Sequence, residues 1–264
     1  MYIDFHTHAY ADKIAARTIE ALEKTANIKT VFDGTIAGLI ETLDKNGIDK
    51  AVLLPIATKP SQHEICNSWA KSVESDRVIP FGSVHPRGED AIDYLDKIKD
   101  VGLKGVKLHP DYQGFFFDDK SVYPIYKRCE ELGLIVIIHA GYDPVSPDLI
   151  HATPQMIANV AGDFPNLKIV AAHLGGMNCW NDVFEILAGN FDNVYLDTAF
   201  VSDFIDISLF EKIIKKHGAD KILLASDLPW QNTEQEIETI EKMNLTDEEK
   251  QLIFFKNAKR LLNI

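Results

Sequence analysis

Residues 134–139 read Leu-Ile-Val-Ile-Ile-His, five consecutive aliphatic residues that end on a histidine. A continuous aliphatic run of this length predicts a strand buried on both faces, which is typical of parallel sheets. Similar runs at 105–109, 168–173 and 221–227 also end on a histidine or an aspartate. Active sites of α/β folds lie at the carboxyl ends of parallel strands, so we expect these polar residues to meet at one face.

Eight strand candidates can be counted along the chain, with helical patterns between them. They fall near residues 2–8, 50–56, 78–84, 105–109, 134–139, 168–173, 194–199 and 222–227. Since crossovers between parallel strands are right-handed, eight such units curl into a closed (β/α)8 barrel, which typically needs roughly 250 residues. We predict an α/β fold, a single-domain TIM barrel over residues 1–264. The alternative is an open, doubly wound sheet.

Helix boundaries are also marked in the sequence. Apolar residues at helical spacing over 36–43 lead into Asn46-Gly47, a pair that favours a left-handed helix stop. After the eighth strand, the stretches 233–236 and 246–249 both read Thr-x-x-Glu. This pattern matches the capping box, in which Thr and Glu side chains satisfy free backbone N–H groups. Two helices are therefore predicted to close the chain.

The first predicted strand ends in Asp-Phe-His-Thr-His at residues 4–8. Side chains at i and i+2 of a strand share a face, so His6 and His8 can bind one ion. Together with His139 and Asp227 they form a set that suits Zn²⁺ and leaves a position for water. Such water has a pKa of about 7, so hydroxide becomes available to attack a carbonyl at neutral pH. Asp227 could bind the ion, accept the proton, or both.

Three further residues at strand ends complete the candidate site. We expect His173, after strand six, to polarise the substrate or to move protons. Lys107 and His109 share a face of strand four and are expected to contact the substrate. A buried ammonium needs a partner, for which Asp227, Asp4 or a substrate carboxylate are the candidates.

Two carboxylates and several aromatic residues have secondary roles in this interpretation. Asp4 and Asp197 lie in strands one and seven, where we expect structural hydrogen bonds; orienting a metal-bound histidine is the alternative. Trp180 and Trp230 follow strand ends and could form an apolar pocket wall. The run Phe-Phe-Phe at 115–117 is predicted to be a lid segment.

Over essentially its whole length, the chain resembles the amidohydrolase superfamily, within it the amidohydrolase-related branch of zinc decarboxylases and lactone or amide hydrolases. The stretches that carry the resemblance are 4–8, 105–110, 138–141, 164–176, 225–229 and the closing helix at 257–262. The resemblance implies a TIM barrel in which the three imidazoles and the carboxylate named above hold the metal. It also implies that His173 faces the substrate.

The resemblance leaves the number of ions open. Relatives with two ions use a histidine on strand six and a carboxylated lysine at the end of strand four. Here Lys107 lies two residues before the apparent end of its strand. We therefore expect one Zn²⁺, with a second ion as the alternative.

The predicted activity is that of a metal-dependent hydrolase acting on a small amide, lactone or ester. The alternative is zinc-dependent, non-oxidative decarboxylation of a small aromatic or unsaturated acid, in which Asp227 or His173 protonates the carbon. A TatD-like two-metal phosphoesterase also begins with histidines on strand one. It normally places a bridging glutamate on strand four, where Lys107 and His109 lie here.

The charge and hydropathy of the sequence argue against some classes of partner. The formal net charge of −13 argues against nucleic acid, since phosphate binding normally needs clustered Lys and Arg. No run approaches the ~20 apolar residues of a membrane span. The predicted ligands begin at position 6, so we expect no cleavable leader and a cytoplasmic protein. The three cysteines lack the spacing of a structural zinc site. We expect a small-molecule substrate, and a homo-oligomer is compatible with the sequence.

Overall fold

Eight parallel strands alternate with helices in this computed structural model, which describes residues 1–264. The strands are β1 (Ile3–Thr7), β2 (Lys50–Leu53), β3 (Val78–Pro80), β4 (Gly105–Leu108), β5 (Ile135–Ile138), β6 (Ile169–Ala171), β7 (Val194–Asp197) and β8 (Ile222–Leu223). Each strand lies inside one of the stretches predicted from the sequence. The predicted strands are therefore confirmed.

The strands close into a barrel. Hydrogen-bonded neighbours run in the order β1-β2-β3 and β4-β5-β6-β7-β8. Parallel bridges join the two groups, from Gly82 to Val106 on one side and from Thr7 to Leu228 on the other. Phe5 N also donates to Leu224 O, next to β8, at 2.8 Å. The (β/α)8 barrel is confirmed, and an open sheet is wrong because no edge strand is left.

Helices cover the outside of the barrel. They are α1 (Asp12–Ala26), α2 (Ile36–Lys45), α3 (His63–Ser72), α4 (Ala91–Asp100), α5 (Pro110–Gln113), α6 (Tyr123–Leu132), α7 (Pro154–Asp163), α8 (Trp180–Asp182), α9 (Ile207–His217), α10 (Thr233–Lys242), α11 (Asp247–Gln251) and α12 (Asn257–Leu262). Single π-helical turns follow α8 and join α11 to α12. None of these helices combines the length and apolar character needed to cross a bilayer. The helix predicted over 36–43 is α2.

The continuous aliphatic runs are explained by two separate cores. In β5, Ile135 and Ile137 pack inside the barrel, whereas Val136 and Ile138 pack between the strands and the helices. Both faces of the strand are therefore buried, as parallel barrel strands require. Residues of α12 join the inner core. The residues that could bind a metal lie at the other end of the barrel from α12, where the strands reach their carboxyl ends.

One of the two predicted capping boxes is wrong. The box from Thr246 to Glu249 forms at the start of α11. At α10, however, no side chain caps the helix. Thr233 instead donates to Asp4 at 2.6 Å, and Glu236 accepts two backbone N–H groups of the segment after β7. Both side chains therefore hydrogen-bond to buried groups elsewhere in the fold instead of capping their own helix.

Candidate metal centre and active-site cavity

Three side chains converge at the carboxyl end of the barrel. His6 Nε2 and His8 Nε2 lie 3.1 Å apart. Asp227 Oδ1 lies 3.4 Å from the first nitrogen and 3.1 Å from the second. Ligand atoms held at about 2.0–2.1 Å by a tetrahedral ion are themselves about 3.3 Å apart. The three separations therefore match the edges of a metal coordination shell.

Other hydrogen bonds determine which ring nitrogens carry protons. His6 Nδ1 lies 2.9 Å from Asp197 Oδ2, and His8 Nδ1 lies 2.7 Å from Leu54 O. Both partners are acceptors, so each Nδ1 is assigned the proton of a neutral ring and each Nε2 presents a lone pair. Two lone pairs and the Asp227 carboxylate would repel one another unless a cation lay between them. The donor set and its protonation therefore fit a divalent ion.

Asp4 connects the two strands that supply this group. Its buried carboxylate accepts hydrogen bonds from Ser226 Oγ at 2.5 Å, from Thr233 Oγ1 at 2.6 Å and from His6 N at 3.2 Å. Burial raises the pKa of Asp4 to about 6, although these donors act in the opposite direction. Asp227 follows Ser226 with φ at +68°, a conformation that costs energy in non-glycine residues. The Asp4 contacts hold that segment beside β1.

Asp197, at the end of β7, positions two histidines. Its Oδ2 accepts a hydrogen bond from His6 Nδ1 at 2.9 Å. Its Oδ1 accepts one from the backbone N–H of His173, also at 2.9 Å. A carboxylate behind a ligating histidine fixes the ring and raises its basicity. From the sequence we expected a structural hydrogen bond at Asp197, with the orienting of a metal-bound histidine as the alternative, and the contact with His6 is of the second kind. Its place at the end of a buried strand was the available signal.

Lys107 lies next to the same histidine. Its Nζ is 3.1 Å from His6 Nε2, and the side chain is buried. Burial lowers the pKa of Lys107 to about 8, against the opposing effect of nearby carboxylates. The expected ion pair with Asp227 or Asp4 is wrong, because Lys107 Nζ contacts neither carboxylate and its hydrogen-bond partner is His6. The ammonium instead donates to a histidine lone pair.

His139 and His173 form a neighbouring pair. His139 Nδ1 lies 3.0 Å from His173 Nε2, and His173 Nδ1 lies 2.8 Å from Ala199 O. The second contact assigns the proton of His173 to Nδ1 and leaves its Nε2 as an acceptor. The His173 ring is 5.6 Å from the His6 ring, centre to centre. The close group of three donors does not include His139, which the sequence places in the ligand set.

A second group of metal-capable atoms comprises His109, His139 and Asp143. The two imidazole rings stack with centres 4.3 Å apart and an angle of 10° between their planes. Because a ring nitrogen offers its lone pair in the ring plane, two stacked rings are poorly placed to share one ion. Burial raises the pKa of Asp143 to about 6. We interpret this group as a carboxylate beside a stacked histidine pair.

A cavity of about 240 Å³ opens over these residues. All seven candidate residues from the sequence line it: His6, His8, Lys107, His109, His139, His173 and Asp227. Aromatic side chains form much of its wall: Tyr10, Tyr112, Tyr142, Phe200, Phe204 and Trp230. The structure thus brings every predicted site residue to one cavity. Of the aromatic residues in this wall, only Trp230 was predicted from the sequence.

The predicted lid segment is wrong. None of residues 115–117 lines the cavity, and Phe115 and Phe117 pack in the outer core. Trp180 also lies outside the lining and donates from Nε1 to His173 O at 3.0 Å. The end of α1 and the residues after it, near 22–28, border the cavity instead. The amphipathic pattern of α1 carries no signal for this, because it is the pattern of any surface helix.

Comparison with known proteins gives matches along the chain. The amidohydrolase family model matches residues 3–264. The chain is 26% identical over 208 residues to 2-amino-3-carboxymuconate-6-semialdehyde decarboxylase of Dictyostelium discoideum, which covers 66% of this chain and 58% of that protein. It is 31% identical over 81 residues to a dihydroorotase of Shewanella loihica, which covers 29% of this chain and 22% of that enzyme. The chain thus spans less than two thirds of either relative.

A solved structure has the same fold. An uncharacterised TIM-barrel protein from Bordetella bronchiseptica aligns with a TM-score of 0.78 at 20% sequence identity, covering 99% of this chain and 98% of that one. At this identity the likeness supports the fold alone, and it agrees with the closed barrel described above. The family match extends over nearly the whole chain. The chain therefore belongs to the amidohydrolase family of enzymes.

Proposed function

We propose that this protein is a metal-dependent hydrolase that cleaves an amide, lactone or ester of a small substrate. The observation that carries the proposal is the 3.1 Å approach of two histidine lone pairs, His6 Nε2 and His8 Nε2, beside the Asp227 carboxylate. Nitrogen and carboxylate donors at this spacing suit Zn²⁺, and we propose one ion per chain. His139 is the proposed fourth ligand; to bind the ion through Nδ1 it would give up its contact with His173 Nε2, which lies 3.0 Å away.

Held by His6, His8, His139 and Asp227, a divalent ion would supply a water of lowered pKa and would polarise a carbonyl oxygen of the substrate. Burial raises the pKa of Asp227, but a cation held beside it by His6 and His8 would outweigh burial and lower it. Asp227 is therefore ionised at neutral pH. In the proposed reaction, its Oδ1 stays with the two histidines and its Oδ2 accepts the proton of the attacking water.

His173 has the position of a proton carrier. Its Nδ1 proton is held by Ala199 O at 2.8 Å, so Nε2 presents a lone pair, which lies 3.0 Å from His139 Nδ1. We propose that Nε2 takes from Asp227 the proton that the water has given up and passes it to the leaving nitrogen or oxygen of the substrate. The Trp180 indole, which donates to His173 O at 3.0 Å, fixes the backbone of this residue.

The charges around the cavity favour a neutral carbonyl substrate. No arginine lines the cavity, and its one lysine, Lys107, lies at the candidate metal centre, 3.1 Å from His6 Nε2. Proteins commonly hold substrate carboxylates with the two-pronged guanidinium group of arginine. Hydrolysis is therefore our first candidate. Decarboxylation is the second, because one matching relative is a decarboxylase; His173 or Asp227 would then donate a proton to the carbon that loses CO2.

A substrate panel tests the choice between these reactions. The purified protein would be incubated with aryl esters, lactones and cyclic amides, and separately with aromatic acids, while hydrolysis products and released CO2 are measured. We expect hydrolysis that is lost in Asp227→Asn, with no release of CO2. Release of CO2 without hydrolysis would assign the second candidate. Protein that contains its metal but turns over neither panel would contradict both.

A further inference from the structure

The cavity contains a carboxylate that the proposed reaction does not use. Asp143 lies in the loop after β5, and only 6% of its side chain is exposed. Its Oδ1 accepts the N–H of Val145 at 2.7 Å. Its Oδ2 makes no hydrogen bond within the protein, since His139 Nε2 and His109 Nε2 lie 3.4 and 3.5 Å away without the required geometry.

The Asp143 side chain is almost wholly removed from solvent, so a ligand that donates to the free Oδ2 would be favoured. Proteins retain such groups where a ligand supplies the missing partner, and Asp143 lines the cavity directly. Lys107, the only cationic side chain in the lining, lies 3.1 Å from His6 Nε2 and makes no ion pair with Asp143. Asp143 therefore has no direct cationic partner in the cavity wall, although the Lys107 charge acts on it from a distance.

The rest of the wall agrees with a cationic ligand. Six aromatic residues line the cavity, and aromatic faces attract cations as well as apolar rings. The volume of about 240 Å³ is below the usual range for drug-sized ligands. These observations together describe a site for one small ring that bears a hydrogen-bond donor.

We propose that Asp143 determines substrate specificity, with its Oδ2 accepting a hydrogen bond from an amine, preferably cationic, on a single-ring substrate. This inference rests on the proposed function, which supplies the type of reaction. It adds the class of the substrate: neutral or cationic single-ring amides, lactones or esters with an amino group, rather than acids. A second role for Asp143 would be to orient His139 through Nε2, and the experiment separates the two.

Two matched probes report on this contact without turnover. N-methylbenzylamine and benzyl methyl ether have the same shape, but only the amine is a charged donor. Their dissociation constants would be measured by titration calorimetry on the metal-containing protein as purified, and on Asp143→Asn. The control is Asp148→Asn, an exposed carboxyl of the same loop that does not line the cavity. Metal content would be measured for all three proteins.

We expect wild-type protein and Asp148→Asn to bind the amine about ten-fold or more tightly than the ether, the effect of one charge-assisted hydrogen bond. In Asp143→Asn this preference should vanish, while the affinity for the ether and the metal content stay unchanged. Equal affinities in the wild type would overturn the inference. So would an Asp143→Asn protein that loses metal and binds both probes weakly, because Asp143 would then position His139. Failure of every ester, lactone and amide with the probe preference intact would contradict the proposed hydrolysis alone.

Discussion

The ammonium of Lys107 lies 3.1 Å from His6 Nε2, the same nitrogen that lies 3.1 Å from His8 Nε2. Lys107 therefore places a positive charge beside the lone pairs of His6 and His8, which repel each other and the Asp227 carboxylate when no cation is present. A cation bound among His6, His8 and Asp227 would compete with this ammonium for the His6 lone pair. Lys107 is thus expected to oppose metal binding while it is protonated, rather than to provide a ligand.

Replacing Lys107 with methionine tests this relationship. Lys107→Met should retain about one ion per chain and bind Zn²⁺ at least as tightly as the wild type, because a nearby positive charge has been removed. The measurement is a competition titration with a chromophoric chelator. Lys104→Met, at an exposed position just before β4, is the control. A fall from two ions to one or none in Lys107→Met would instead indicate a carboxylated lysine bridge.

Asp197→Asn should weaken metal binding without unfolding the barrel. The carboxylate holds His6 Nδ1 at 2.9 Å, and loss of such a contact typically costs about 10–100-fold in metal affinity. The same competition titration measures the change, and circular dichroism checks the fold. Asp192→Asn, at a fully exposed carboxyl that pairs with Lys221, should have no effect. Unchanged affinity in Asp197→Asn would show that His6 is oriented by other contacts.

Glu236 should make the stability of the protein depend on pH. Burial raises its pKa from 4.5 to about 8, so between these values the folded state binds more protons than the unfolded state. By linkage, this residue lowers the free energy of unfolding as pH rises through that window. Glu236→Gln should therefore lose less stability than the wild type between pH 5 and pH 8.

Urea unfolding at the two pH values measures this difference. Glu238→Gln, on the same helix with its side chain 61% exposed, should behave as the wild type. If the free energy of unfolding of Glu236→Gln fell between pH 5 and pH 8 as much as that of the wild type, the Glu236 carboxyl would titrate alike in the folded and unfolded states.

Gly141 should tolerate no side chain. Its φ is +86°, and a Cβ there would lie 2.1 Å from Met177 N. Gly141→Ala should therefore lower the free energy of unfolding by about 2–4 kcal/mol through overpacking and backbone strain. A Cβ added at Gly162, in α7, would have nothing within 4 Å, so Gly162→Ala should be neutral or stabilising. Chemical denaturation compares the two variants, and equal stabilities would contradict the close contact with Met177.

The strands were predictable because each is buried on both faces. Ile135 and Ile137 face one core and Val136 and Ile138 face the other, so the periodicity of the sequence reports burial directly. The ligand pair was predictable for a related reason. His6 and His8 are two residues apart on one strand, and alternation alone places them on one face.

Contacts made by loops and between distant strands could not be predicted in this way. Asp143 reaches the cavity because of the path of the loop after β5, and Glu236 is drawn from its capping position by amides after β7. Lys107 was assigned to the right face, but its contact with His6 depends on how β1 and β4 approach across the barrel. Such contacts join residues far apart in the chain, for which local patterns give no signal.

The metal content per chain, measured by mass spectrometry on protein purified without a metal-binding tag, tests directly whether His6, His8 and Asp227 hold an ion. It would be compared with His6→Ala and with His151→Gln, a histidine whose partner is Asp111 rather than the group of three donors. We predict about one divalent ion in the wild type and in His151→Gln, and none in His6→Ala. Wild-type protein without metal, even after reconstitution, or a full complement of metal in His6→Ala, would contradict the account.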